Sequence, residues 1–598
     1  MIGHNNLRAL DRLRPRHRDL LCVSILALAC LLLRVPSLDR ITLNPDESQY
    51  EAAASYLVAT HTSSSTLPYG VPGVYGIFKL MTWIFGAYPM FQVRVLILLV
   101  CLGMAVLLYL LVRQETNRWC GLLAGMVFLH HVMLYEGLTV NREWFAALMI
   151  LGGIALYLLS ERRYPGTRGW LLFLSGVACG TAIWFKLQAA FMVLAVPSLL
   201  LWQAVVAGRP ASAARTVGPH FLGGAVSGVG FLFPFFMSGT LGEFLRSLRS
   251  TWDVMVLGNE EAVQQVSPGA ATIYVQRFYL HQPYRLLLLC VFLFSLLCLA
   301  AALRRLIRRS ESARFLERPG VLIFVAWLIT SMLSIKLGNR FYNHYYLLML
   351  APLAALVGLA VYHFTVGEWS AGRGRWIALG LFSLVIVDRV AVAQGPVLTI
   401  IPQRWPATVP LTLYLLVGLG ILLFGLIRPL RRAGPALAAL LCLDGGALVL
   451  ERQLAETPQA VSHHSFRFPA LVEYLGERSR AGDRLFVWGW APEIYSLTRL
   501  ESATHVTITQ YVVNDYEASP DWATIDAWWA EMLMRDLEQR RPRFVVDAAD
   551  RSWTSTDRQV YDLARYPEFK LVKMLETDYE LTGRIDDCDV YERRDGFR

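Results

Sequence analysis

Several ionisable residues stand where their types and spacing could do chemistry. Asp46 and Glu47 follow Pro45 in Leu43-Asn44-Pro45-Asp46-Glu47-Ser48-Gln49-Tyr50. Proline followed by two acids is a helix-start signature. Asp46 then either caps a surface helix whose dipole Glu47 complements, or faces a substrate. Other residues could bind an anion. Lys186 lies in Ile183-Trp184-Phe185-Lys186-Leu187-Gln188, between two apolar runs. Arg340 and His344 lie in Gly338-Asn339-Arg340-Phe341-Tyr342-Asn343-His344-Tyr345-Tyr346 and share a face if that stretch is helical. Arg94 follows Gln92-Val93, and Glu143 stands in Asn141-Arg142-Glu143-Trp144. Taken singly, each long side chain is explained by snorkelling to the headgroups. Taken together, on one face of a membrane, they suggest a site, because embedded ionisable groups are costly.

The elements that must position them are membrane spans. Of 598 residues, 55% are hydrophobic and 17% charged, and mean hydropathy is +0.42. Soluble domains carry about 25% charged residues. Apolar residues are blocked into runs near membrane-spanning length: Leu20–Leu33, Val93–Val112, Trp170–Ile183, Phe191–Val206, Leu286–Leu303, Val321–Ile335 and Tyr345–Val361. Others lie around Ile377–Val387, Leu411–Leu426 and Ala436–Leu450, with less tidy runs after Cys120, Glu143 and His220. The expected fold class is mainly α, a polytopic transmembrane helix bundle of about 13 spans over residues 1–451. A small α/β domain would follow over residues 452–598.

Arginines set the expected orientation. Arg8, Arg12, Arg14, Arg16 and Arg18 precede the first run. Alternate loops repeat the bias with Arg113 and Arg118, then Arg162, Arg163 and Arg168, and later Arg304, Arg305, Arg308 and Arg309. The positive-inside rule makes the N-terminus cytoplasmic. An odd span count puts the tail from about Glu451 outside. The net charge of +10 is thus a topology signal and a contact with anionic membrane lipids. It is spread over many loops, so no nucleic-acid partner is expected. No cleavable leader is expected either. Eight of nine cysteines fall in or beside apolar runs, leaving Cys588 alone in the tail, which therefore has no internal disulfide. No CxxC or HExxH metal motif occurs.

Two outer loops are long, at about 36–89 and 240–285, and long loops in a compact protein are usually functional. In the first, Tyr50, Ala53, Ala54, Leu57 and Val58 keep a helical apolar spacing, and Asp46 falls on the face of Tyr50 and Leu57. In the tail, Phe468–Arg478 and Thr524–Arg540 read as helices. Arg484–Trp490 and Phe544–Asp547 read as strands, and Tyr579–Glu592 as one or two more. That alternation suggests a small α/β unit, a lid or acceptor platform without a nucleophile elbow or phosphate loop.

These motifs together resemble the GT-C superfamily of integral-membrane glycosyltransferases, in particular its bacterial branch of protein O-mannosyltransferase-like and aminoarabinose-transferase-like enzymes. Asp46-Glu47 with Tyr50 and Ala53-Ala54 resembles the family's first acidic motif. Phe85-Gly86 with Arg94 resembles the start of its second span, and Asn141-Arg142-Glu143 its second acidic position. Phe185-Lys186-Leu187-Gln188 resembles a basic position in a middle loop. Arg340-Phe341-Tyr342-Asn343-His344-Tyr345-Tyr346 resembles the aromatic, His-containing start of a late span. Gly482-Asp483-Arg484, Val487-Trp488-Gly489-Trp490 and Ala491-Pro492-Glu493 resemble the opening of the external domain. The family's His-Lys-Pro-Pro stretch is missing. Leu67-Pro68-Tyr69-Gly70-Val71-Pro72-Gly73-Val74-Tyr75 stands there instead, so the substrate-facing part of the loop is remodelled.

The resemblance implies transfer of a sugar from a polyprenyl-phosphate-linked donor to an acceptor hydroxyl on a glycan, lipid or protein. It implies a bacterial plasma membrane with the site on the periplasmic or extracellular face. Asp46 would be the base. Glu47 would orient the acceptor or hold a divalent metal ion, and Glu143 would support them. Lys186, Arg340 and Arg94 would stabilise the leaving phosphate, with a hydrogen bond from His344. Tyr50, Tyr69 and Tyr345 would line the substrate. Two rival classes remain at the level of sequence: a flippase or transporter for a lipid or anion, and a non-catalytic envelope-assembly scaffold. A transporter's internal repeats are not evident. Asp388-Arg389, inside a late apolar run, is an ion pair or the end of that span.

Overall fold

The computed structural model describes residues 15–35, 45–61, 72–132, 139–162, 165–206, 213–252, 319–338, 343–365, 467–513, 525–551 and 561–594, with residues 38 and 208 between. In chain order the helices of the first part are α1 (Pro15–Arg34), α2 (Pro45–Thr60), α3 (Pro72–Phe85), α4 (Met90–Glu115), α5 (Arg118–Val132), α6 (Arg142–Arg162), α7 (Pro165–Ala182), α8 (Ala189–Val193), α9 (Ala195–Val206), α10 (Ala213–Met237), α11 (Leu241–Trp252), α12 (Pro319–Gly338) and α13 (Leu347–Thr365). Among the described residues, four helical stretches are long and apolar enough to cross a membrane: Met90–Glu115, Arg142–Arg162, Ala189–Val206 and Ala214–Met237. The expected runs at Leu286–Leu303, Ile377–Val387, Leu411–Leu426 and Ala436–Leu450, and Asp388-Arg389, lie outside the described residues.

Ion pairs identify one end of the bundle. Arg113 meets Asp19 at 2.7 Å, and the Tyr109 hydroxyl donates to the same carboxylate at 2.7 Å. Arg162 pairs with Glu115, and Arg168 with Glu161 at 2.8 Å. The start of α1, the end of α4, the end of α6 and the start of α7 therefore share this end, so successive spans alternate in direction. Arginines that the sequence assigns to alternate loops gather here. The residues with candidate chemistry gather at the opposite end.

Close helix contact in the bundle depends on small residues, as is usual where lipid removes the hydrophobic drive between helices. Helices α7 and α10 touch backbone to backbone. A Cβ on Gly176 would fall on the His220 carbonyl, and one on Gly223 would fall on that of Phe173.

The described parts of the two stretches expected as long outer loops are mainly helical, α2 and α3 in the first and α11 in the second, whose residues 253–285 lie outside the described residues. Pro45 opens α2, as its place before two acids predicts. The single apolar stripe expected on α2 is not what packs. Pro45 and all of Glu47 to Leu57 are buried, because α2 is covered by α3 on one side and by the C-terminal unit on another.

That unit contains α14 (Pro469–Arg478), β1 (Arg484–Trp488), α15 (Glu493–Thr498), β2 (Glu501–Ser502), α16 (Ala527–Arg540), β3 (Phe544–Asp547), α17 (Lys570–Asp578), β4 (Tyr579–Ile585) and β5 (Cys588–Arg593). The strands form one sheet in the order β2-β1-β3-β5-β4. β1 runs parallel to β2 and β3, while β5 is antiparallel to β3 and β4. Side chains alternate across a strand, and β1 shows it. Phe486 and Trp488 enter a cluster with Trp529, Leu533 and Val545, whereas Leu485 and Val487 enter another with Leu471, Tyr495 and Phe544. Both faces are covered, as parallel strands require. The second cluster includes Ala52 of α2, and Leu187 packs against the first. Helix α16 starts one turn later than expected. Asp526 caps it, accepting from the amides of Trp528 and Trp529, both at 3.0 Å.

Candidate active site

Four separate segments deliver the site. The first is α2. Glu47 is fully buried, and its carboxylate accepts from Arg94 Nη2 at 2.7 Å and from the amide of Val140 at 2.6 Å. Asp46, one residue earlier, keeps part of its surface open. Tyr50 is buried edge-on against Tyr75, with ring centres 5.3 Å apart, and Gln49 Nε2 donates to the Tyr75 hydroxyl at 3.3 Å.

The second segment is the start of α6. Asn141 Nδ2 donates to Thr139 Oγ1 at 2.6 Å, which shapes the approach to the helix. Arg142 and Glu143 follow, 7% and 1% exposed. Arg142 lies within electrostatic reach of Asp46, Tyr50, Glu143 and Tyr345.

The third is the turn between α7 and α8. The amide of Lys186 donates to Ala182 O at 3.2 Å, and Lys186 O accepts from Ala189 at 2.9 Å. The turn is pinned from outside. The amide of Gly73 donates to Trp184 O at 2.9 Å, and a Cβ at Gly73 would come within 2.6 Å of that oxygen. Lys186 is 2% exposed, pairs with Glu143, and sets its ammonium 3.5 Å from the centre of the Tyr345 ring. An ammonium over an aromatic face is stabilised by the ring quadrupole. Tyr345 belongs to the fourth segment, a short 3-10 turn, Asn343–Tyr346, that leads into α13.

Asp46, Tyr50, Glu143, Lys186 and Tyr345 are thus brought together, as are Glu47 and Arg94 beside them. Arg94, expected at a phosphate, and Glu47, expected at an acceptor or a metal, face each other in this structure, with side chains 3% and 0% exposed. A buried carboxylate requires a paired cation, and each meets that need for the other. The placement of Tyr69 and Arg340 and the side chain of His344 lie outside the described residues. Arg142 was missed as a site residue although it sits inside the Asn141-Arg142-Glu143 motif. Its signal was a cation beside an acid at a span terminus.

Among the described residues no group of three or more His, Cys, Asp or Glu is arranged to hold a metal ion. The charges of the cluster instead balance in place: Asp46 and Glu143 against Arg142 and Lys186.

Residues 62–209 match the family model of dolichyl-phosphate-mannose-protein mannosyltransferase. No curated protein sequence gives a significant match. The structure resembles the crystal structure of ArnT from Cupriavidus metallidurans bound to undecaprenyl phosphate, at 15% identity and a TM-score of 0.56, over 98% of this chain and 99% of that one. It also resembles the apo state of ArnT from the same organism, at 15% identity and a TM-score of 0.50, over 96% and 97% of the two chains. The architecture that the ordered motifs implied is therefore the one found: the chain has the fold of these ArnT structures.

Proposed function

We propose that this protein is an inverting glycosyltransferase. It moves a sugar from a polyprenyl-phosphate-linked donor to an acceptor hydroxyl at the outer face of a bacterial plasma membrane, in cell-envelope glycan, lipid or protein glycosylation. The N-terminus is cytoplasmic, and the C-terminal unit, within residues 452–598, is periplasmic or extracellular. The observation that carries the reading is the convergence of Asp46, Arg142, Glu143 and Lys186 at the end of the bundle roofed by the C-terminal unit.

The residues divide the work by accessibility. Asp46 is the partly open acid and serves as the base. It takes the proton of the acceptor hydroxyl as that oxygen bonds to the anomeric carbon. The bond from that carbon to the phosphate oxygen breaks, and the lipid phosphate leaves with the electron pair. One displacement without an enzyme nucleophile inverts the centre. Glu47 and Arg94 form a buried strut that fixes α2 against α4.

The phosphate needs cations beyond those described. Arg142 and Lys186 are already balanced by Asp46 and Glu143, and an unbalanced anion at a desolvated boundary is costly. In the sequence His344 is next to Tyr345, whose ring lies under Lys186, and Arg340 is five residues before it; these two are assigned the missing charge and a hydrogen bond. The likeness to an undecaprenyl-phosphate-bound ArnT supports a polyprenyl carrier.

The test is Asp46→Asn in purified protein given a lipid-linked sugar. Lost transfer with retained fold and carrier binding is expected. Transfer at the unsubstituted rate would overturn the assignment of the base.

A further inference from the structure

Glu51 is one helical turn beyond Glu47 on α2 and is 1% exposed. A carboxyl buried to that degree requires hydrogen-bonding partners. One comes from the C-terminal unit: Ser496 Oγ on α15 donates to Glu51 Oε2 at 2.6 Å. The bond lies amid further contacts of the unit with α2 and its surroundings. The Tyr88 hydroxyl, just before α4, donates to Leu500 O. Thr507 Oγ1 donates to Gln49 O at 3.4 Å. The Arg540 guanidinium lies 4.9 Å above the Tyr56 ring. Ala52, next to Glu51, is inside the apolar cluster formed by Leu471, Leu475 and Tyr495. The helix that carries Asp46 is thus also a core element of the C-terminal unit. Asp46 and Glu51 are five residues apart on one rigid helix, a rise of about 7.5 Å.

We propose that Glu51 is a positioning residue: its carboxyl is the latch through which the C-terminal unit fixes α2, and with it Asp46, against the bundle. This rests on the reading of Asp46 as the base.

The latch titrates. Burial pushes the Glu51 carboxyl up to about 7, the bonds from Ser496 and the Met90 backbone oppose the rise, Glu47 adds to it, and Arg94 lowers it. Tyr88 lies within electrostatic reach of both Glu51 and Tyr495. An undocked, solvated carboxyl would titrate near 4.5. Between these values the docked state holds the extra proton. Docking therefore weakens as pH rises through that window and levels off above about 7.

The experiment uses full-length protein in lipid nanodiscs. Hydrogen exchange of peptides covering α2, corrected for intrinsic rates, is followed from pH 5 to pH 8 alongside transfer kinetics. Glu51→Ala and Ser496→Ala are expected to speed α2 exchange, the former about tenfold. Glu51→Ala should also lower kcat while donor KM changes less than about twofold. Glu51→Gln still accepts from Ser496, so it should keep the protection and lose its pH dependence. The latch is overturned if Glu51→Ala exchanges like the unsubstituted protein, or if Glu51→Gln keeps the full pH slope. Should the Ala variant not fold, the Gln variant and Ser496→Ala carry the same decision. Exchange needs no turnover. If Asp46→Asn transfers sugar normally while the exchange results hold, the base assignment fails and the latch on α2 stands.

Discussion

The ammonium of Lys186 pairs with the carboxylate of Glu143 while resting 3.5 Å from the centre of the Tyr345 ring. One lysine so joins the turn before α8, the start of α6 and the turn before α13. Asp46 of α2 is within electrostatic reach of the same ammonium. Segments separated by up to 299 positions in the sequence meet at one point.

That meeting predicts strong coupling. Glu143→Ala leaves a buried ammonium uncompensated and should cost about 3–5 kcal/mol of stability. The double variant Glu143→Ala/Lys186→Met should cost clearly less than the sum of the two single changes. Denaturation in detergent, arranged as a double-mutant cycle, reads the difference. Simple additivity would mean that the pair does not exist in the folded protein.

The two acids of the cluster should behave differently in catalysis. Asp46→Asn should abolish turnover and spare carrier binding. Glu143→Gln, which keeps an acceptor for Lys186, should reduce turnover less. Single-turnover assays with a bound-carrier control separate the two, and equal losses would contradict the division of roles.

Arg94→Ala should act on the fold and not on the donor. It strands the buried Glu47 carboxylate, at a cost of about 3–5 kcal/mol, seen as a lower Tm. Carrier affinity of the folded fraction should be unchanged. Weakened carrier binding at unchanged Tm would return Arg94 to the phosphate.

Arg340→Ala should weaken both carrier binding and turnover. Arg340→Lys should restore part of the loss, because it keeps the charge and loses the bidentate fork. Arg305→Ala, in a loop expected on the cytoplasmic face, should leave both unchanged. The reverse pattern would put the donor site on the other face.

Sidedness has its own measurement. Single cysteines in place of Arg12 and Asp550 should be labelled from opposite sides of the membrane, the first from the cytoplasm. Labelling of both from one side would refute an odd number of spans.

The sequence by itself determined the mainly helical bundle and, among the described residues, the alternation of helix directions, because apolar run length and arginine bias are local and additive. It also placed β3 at Phe544–Asp547 and the start of α2 at Pro45, where turn chemistry and strand period act over a few residues. Its motifs held Asp46, Glu143, Lys186 and Tyr345. What only the tertiary structure decided is which charge faces which. Glu47 and Arg94 read singly as substrate ligands, and only the packing of α2 on α4 shows that they face each other. Glu51 meets Ser496, 445 positions away, only in the fold. Partner choice among buried charges depends on contacts across the fold, and no local period or propensity encodes them.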